Sequence, residues 1–300
     1  IDLAGLLASF RVGGKNVTKI VNNVSWVCGV KPTPHENRER DRMTTLLKTF
    51  LAGLALAVTP LLGTGSAQAQ GFSTTEIQLH YGDNYLLGRN GINETQRSTI
   101  TLEHFSARKW GDVFFFVDNF KDGDGTGRAS DQYGEVFVHF SGKNMGLSFG
   151  EDSFIKDVGL GLGLNQGTDF TVGLVGARAN FNVKGFRVLS FGLYSYDTMT
   201  DPFGRDLDTT YQATIVWDRP FEVGSQKFQF KGFVDFIGDR GAGVAEQVIF
   251  SPQIRWDAGH AMGQQAGKFN LGIEYTHFKN KFGVQAADEN SVSLFAAFRF

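Results

Sequence analysis

The chain has one cysteine, Cys28, in 300 residues. No disulfide and no cysteine metal site can therefore form within it. An excess of either charge is also missing, since 29 Lys and Arg against 31 Asp and Glu leave a net charge of −2. That excludes a strongly basic nucleic-acid binder, though not a local basic patch. From Thr74 onward the apolar residues show no convincing helical period. What is present instead is 29 Phe and 38 Gly, a pairing that favours strands and turns.

The first seventy residues read differently from the rest. Met43-Thr44-Thr45-Leu46-Leu47-Lys48 places a lysine before an apolar run, Thr49 to Leu62, and small residues then lead to Ala67-Gln68-Ala69. This is the order of a secretory leader, with cleavage expected after Ala69 and a mature start at Gln70. Pro60 and Gly63 interrupt the run, which is short for a spanning helix. Residues 1–42 lack an initiator Met and carry the polar run Glu36 to Arg42. They are expected to be translated upstream sequence, with the native start at Met43 and Cys28 absent from the mature chain. The expected organisation is thus 1–42 not native, 43–69 a cleaved signal peptide and 70–300 the folded unit.

That unit alternates apolar and polar residues in stretches bounded by turn residues. The expected strands are 74–81, 97–107, 111–120, 132–140, 154–164, 168–181, 186–196, 208–217, 227–237, 247–257, 268–278 and 290–300. About twelve antiparallel strands, an even number, imply an all-β fold closed as a transmembrane barrel with a narrow lumen. Phe228, Phe230, Gly232, Val234 and Phe236 share one face of a strand, with Gln229, Lys231, Phe233 and Asp235 on the other. The chain ends on Phe300 after such a strand, like the sorting signal of bacterial outer-membrane barrels. A Gram-negative outer membrane is the expected location, with lipid and, through Phe300, the barrel-assembly machinery as partners. Alternation alone does not tell inside-out from outside-in, because a secreted sandwich or soluble barrel alternates too. Strand length, Phe300 and the leader favour the membrane form. Long connections (82–96, 121–131, 197–207, 238–246, 279–289) should lie outside and short turns (108–110, 182–185) in the periplasm. The exceptions are the long connection Ser141–Ser153, a candidate for folding inward, and the short one at Asn165-Gln166-Gly167. Trp110, Trp217 and Trp256 are candidates for the interfacial girdle.

The segments Thr99-Ile100-Thr101-Leu102-Glu103-His104-Phe105, Lys109-Trp110-Gly111-Asp112-Val113-Phe114-Phe115-Phe116-Val117-Asp118, Glu135-Val136-Phe137, Leu147-Ser148-Phe149-Gly150 and the terminal Phe-Arg-Phe occur in this order. In this order they resemble the Tsx-type nucleoside-specific channels of the outer membrane, which include the OmpK-like porins. The resemblance implies a twelve-stranded monomeric barrel whose narrow lumen is lined by aromatic and ionisable groups. It implies a passive porin-type channel for nucleosides or similar small polar aromatic solutes.

A nucleoside offers a flat base and a polar sugar, so a path for it needs aromatic faces and acids. With Asp118 turned inward, Phe114 and Phe116 share its face, while Val113, Phe115 and Val117 meet lipid. By the same alternation Glu103 brings in Phe105, Glu135 brings in Phe137 and His139, and Asp235 brings in Lys231 and Phe233. Tyr194 and Tyr196 join them, and Arg299 shares a face with Phe295. Glu76, Arg255 and Glu274 also fall on the polar face. These aromatics could instead pack a closed small barrel, and Lys231 could simply pair with Asp235.

Other motifs exclude more than they suggest. Lys121 to Gly127 opens like a calcium loop, but Tyr133 stands where the closing Glu should be; an acidic external loop is expected and no metal or cofactor. Gly159-Leu160-Gly161-Leu162-Gly163-Leu164 has no Gly-Lys-Ser/Thr after it, so it is no phosphate cradle but a strand with one glycine face and one leucine face. An outer-membrane lipase or deacylase would need Ser and His with an acid at the lipid boundary. His104 and His277 fall on that side, with no serine at a pairing position, so no enzyme is expected. A non-conducting surface receptor is the other alternative.

Overall fold

A computed structural model of the chain describes residues 11–12, 15–16, 71–87, 93–123, 130–150 and 152–300. The chain divides into two units, Ile1–Thr64 and Gly65–Phe300. Within the first, Arg11–Val12 pairs antiparallel with Lys15–Asn16. The readings of a leader and an upstream segment lie otherwise outside the described residues.

The second unit is one closed antiparallel barrel of twelve strands. In chain order these are β1 (Phe72–Leu87), β2 (Asn93–Arg108), β3 (Gly111–Asp122), β4 (Ser130–Ser141), β5 (Ile155–Gly167) and β6 (Thr171–Phe181). There follow β7 (Val188–Thr200), β8 (Thr210–Val223), β9 (Gln226–Ile237), β10 (Gln247–Trp256), β11 (Phe269–Lys279) and β12 (Glu289–Arg299). Each strand pairs with the next, and β12 closes on β1 with Phe298 opposite Ile77 and Phe295 opposite His80. Closure leaves no sheet edge, so every wall strand is hydrogen-bonded on both sides. Among the described residues no helix is long and apolar enough to cross a membrane.

Alternation decides which residues face in. On β1, Glu76, Gln78 and His80 are buried while Leu79 and Tyr81 are exposed. On β5, Leu160 and Leu162 are exposed and the glycines that alternate with them, Gly159, Gly161 and Gly163, are buried on the bore side. On β12, Ser291, Ser293 and Phe295 are buried, whereas Leu294 is 64% exposed. The wall thus turns its aliphatic side chains outward and its polar ones inward.

At the end carrying both barrel termini, outward aromatics stand in pairs: Trp110 with Phe140, Phe154 with Phe181, Phe221 with Phe228, and Phe269 with Phe298. Such a ring suits the lipid–water boundary. Trp256 sits at this end, its Nε1 donating to Gln226 Oε1 at 2.8 Å. Trp217 lies in mid-wall instead, over the notch left by Gly232 and between Phe230 and Phe250.

Several expected boundaries move. β1 runs to Leu87 and β2 starts at Asn93, so most of the loop expected at 82–96 is strand, with an irregularity between Gly82 and Tyr85. Asn165-Gln166-Gly167 is the end of β5, not a turn. Ser141–Ser153 does not fold inward: Gly142–Met145 form a 3₁₀ turn, and Met145 and Leu147 are about half exposed. A second long connection at the same end, 257–268, carries a one-turn helix Ala258–Ala261 capped by Asp257. Long connections therefore occur at both ends, because turn residues mark where a strand may stop and not where it must.

Candidate functional site in the lumen

The inner face groups into layers. Toward the terminal end, ion pairs join the strands of the inner face, both neighbours and strands farther apart. Arg255 of β10 donates to Glu76 of β1 at 2.6 Å, and Arg299 of β12 donates to the same carboxylate at 3.0 Å. Arg255 is completely buried, so its charge is tolerable only because Glu76 answers it. Lys231 of β9 forms a salt bridge with Glu103 of β2. Those strands lie five apart by the shorter way round twelve, so this contact joins nearly opposite walls. Arg178 of β6 makes a two-pronged pair with Asp112 of β3. His139 touches both, and its Nε2 lies 2.8 Å from Tyr194 Oη.

The glycine face of β5 makes room for that cluster. A Cβ on Gly161 would stand 2.8 Å from the rings of His139 and Tyr194, and one on Gly163 would stand 2.6 Å from Phe137. The absent side chains let aromatics from neighbouring strands lie against the wall.

Above this layer come four carboxylates bonded only to neutral groups. Thr101 Oγ1 donates to Asp118 at 2.6 Å, Tyr133 donates to Glu135, Thr214 and Gln212 donate to Asp235, and Gln253 donates to Glu274. Asp118 feels the charges of Glu274, Arg97 and Glu103, and Glu135 those of Asp235 and Asp118. Phe116 lies beside Tyr133, with ring centres 5.8 Å apart, and beside Phe114 at 6.1 Å. Phe137, Val172, Leu174, Tyr194, Tyr196 and Ile237 form an apolar cluster within the same bore.

At the far mouth Arg97 pairs in two-pronged fashion with Asp122 and lies 4.0 Å from the Phe120 ring centre. Lys281, in the last connection, is buried against Glu289 and near Tyr85. Burial pulls its ammonium below the ordinary lysine value, and Glu289 opposes that pull. Val244 and Gly283 bring two of the mouth connections together.

Every residue expected to line the lumen falls on the inner face: Glu103 and Phe105; Phe114, Phe116 and Asp118; Glu135, Phe137 and His139; Tyr194; Lys231, Phe233 and Asp235; and Arg299. Val113 is on the outer face as expected, yet only 8% exposed, sheltered by its neighbours. Lys231 does not pair with Asp235; it reaches across to Glu103. Asp112, Arg178, Arg97, Asn165 and Gln212 were not anticipated. Asp112 is two residues before Phe114, so the same alternation would have found it. His104 and His277 are on the outer side, bonded to Thr75 and Asn290.

An ionic interior within a wall whose outside is aliphatic and aromatic inverts the order of a soluble barrel. Such a protein is a multi-pass transmembrane β-barrel of the outer-membrane type. It belongs to the family described as Domain of unknown function (DUF5020), which matches residues 74–293. A search of curated proteins finds no match. Among solved structures the barrel is similar to the NanC porin at 10% identity and a TM-score of 0.47, covering 75% of this chain and 98% of that one. It is similar to the KdgM porin at 8% identity and 0.44, covering 75% and 99%. It is also similar to the COG4313 outer membrane channel from Pseudomonas putida F1 at 10% and 0.44, covering 79% and 98%. The fold assignment rests on the strand pairing above and not on these distant likenesses.

Proposed function

We propose that the protein is a passive, non-enzymatic channel that lets nucleosides or similar small polar aromatic solutes cross the outer membrane as a monomer. The observation that carries this reading is the placing of aromatic rings beside carboxylates on one inner face: Phe114 and Phe116 with Asp118, and Phe137 with Glu135. Ring faces stack a flat base, worth roughly 1–3 kcal/mol each, and acids accept sugar hydroxyls. Several weak contacts in series pass a solute better than one tight site. The bridge between Glu103 and Lys231 favours a second reading, in which the bore is closed and the protein acts as a surface receptor. Planar-bilayer conductance with added adenosine separates them. A channel gives single steps that adenosine blocks reversibly, with block weakened about tenfold by Phe116→Ala. Absence of steps from folded protein would leave the receptor.

A further inference from the structure

The charges of the lumen do not balance layer by layer. Arg97, Arg178, Lys231, Arg255, Arg299 and Lys281 each have a carboxylate partner, and Arg240, buried at the mouth, lies over the Tyr196 ring and donates to Thr198. Asp118, Glu135, Asp235 and Glu274 make no ion pair, and their hydrogen bonds come from three hydroxyls and two amides; of these, Asp118 feels a lumen cation, Arg97, at a distance. Those donors are thereby spent. What remains is an excess of acceptors, and two further ones join it. Gln212 is 1% exposed, and its Oε1 has no hydrogen-bond partner. Its orientation is fixed, because its Nε2 already donates to Thr214 and Asp235. Asn165 is 4% exposed with an unpartnered Oδ1, and it stands directly opposite Glu135 in the sheet. A buried carbonyl oxygen left without a donor is costly. Here two of them flank carboxylates that lack a cation.

We propose that this layer binds a small organic cation, a primary ammonium or guanidinium, through Glu135, Asp235, Asp118 and the carbonyl oxygens of Asn165 and Gln212. The proposal rests on the reading of the lumen as a solute path and adds a second class of solute to it. Such a head group brings several N–H donors and a positive charge, which the layer lacks, and no acceptor, which the layer has in excess. The rings of Phe116 and Tyr133 add faces that attract a cation. A bare metal ion fits less well, because no group of three His, Cys, Asp or Glu among the described residues is arranged to hold one.

The test is calorimetric titration of the detergent-solubilised protein with putrescine and agmatine, against neutral adenosine and anionic glucuronate. Both amines should bind at least tenfold more tightly than either comparator. Glu135→Gln with Asp235→Asn should abolish the preference, while Glu246→Gln, on an exposed connection, should leave it unchanged. Retention of the barrel is checked by the heat-dependent gel shift. Should the double variant not fold, Gln212→Met takes its place, with an expected loss of at least threefold in amine affinity. Equal binding of all four probes, or amine binding unchanged in a folded variant, would overturn the proposal. Bilayer reversal potentials across a tenfold KCl gradient separate this from the channel reading. Amine binding without conductance removes the channel and keeps the site. Conductance with anion preference and no amine binding removes the site and keeps the channel.

Discussion

Glu76 holds two guanidiniums at once, and one of them, Arg255, has no exposure to water. Removing the carboxylate leaves a buried charge without an answer, a change that typically costs about 3–5 kcal/mol. Glu76→Gln is therefore expected to lower the unfolding free energy of the barrel in micelles, read from urea titration, by that amount. Glu76→Gln with Arg255→Gln should recover most of the loss, since the pair is then removed together. If the double variant is no more stable than the single one, the cost lies in packing and not in charge. The sequence put Glu76 and Arg255 on one polar face. It could not pair them, because they come from strands three apart round the wall, and alternation carries no information across a bore.

Among the elements, β5 and the connection 201–209 show two ways in which local sequence acts on the site. The repeated Gly-Leu of β5 was legible as a strand with one smooth side. What rests on that side, the rings of Phe137, His139 and Tyr194, follows only from closure. Gly163→Val should push Phe137 off the wall and destabilise the barrel by about 1–3 kcal/mol, measured as a lower temperature for the heat-dependent gel shift. Leu162→Val, on the lipid side, should have little effect. In the connection after β7, Asp201 accepts from the amides of Phe203 and Arg205 and from the Arg205 guanidinium. Burial acts to raise its carboxyl, but these bonds prevail and hold it below its ordinary value of 3.8. A depressed folded value means the stabilisation is present above the unfolded value and disappears as pH falls through the folded one. Hydrogen exchange at the Phe203 and Arg205 amides, corrected for intrinsic rate, should stay slow at neutral pH and quicken only in acid below that value. In Asp201→Asn the same amides should exchange faster already at neutral pH. Element bounds were read less well than element number. β1 and β2 continue beyond the expected ends because each completes its neighbour's hydrogen bonds, even across Gly82 and Asn84.

For the whole barrel, strand number, closure and the inward set of Phe114, Phe116 and Asp118 were legible because lipid and water impose a period of two on every strand. The division of the bore into paired and unpaired charge was not, since it depends on which opposite residues meet. The contact between Lys231 and Glu103 has a mechanical side. Two walls of a hydrogen-bonded cylinder are tied together by one chord, as a rod ties the feet of an arch. The hydrogen-bonded hoop resists stretching around its circumference more than flattening, and this chord is the longest of three ties within it, with Arg178–Asp112 and Arg255–Glu76. Lys231→Met cuts the rod without touching a single backbone bond. On the channel reading, single-channel conductance should then rise about twofold, and Lys231→Met with Glu103→Gln, which leaves no unanswered carboxylate, should show the same rise while the unfolding midpoint shifts little. One long side chain would thus adjust the width of the bore without any rebuilding of the wall.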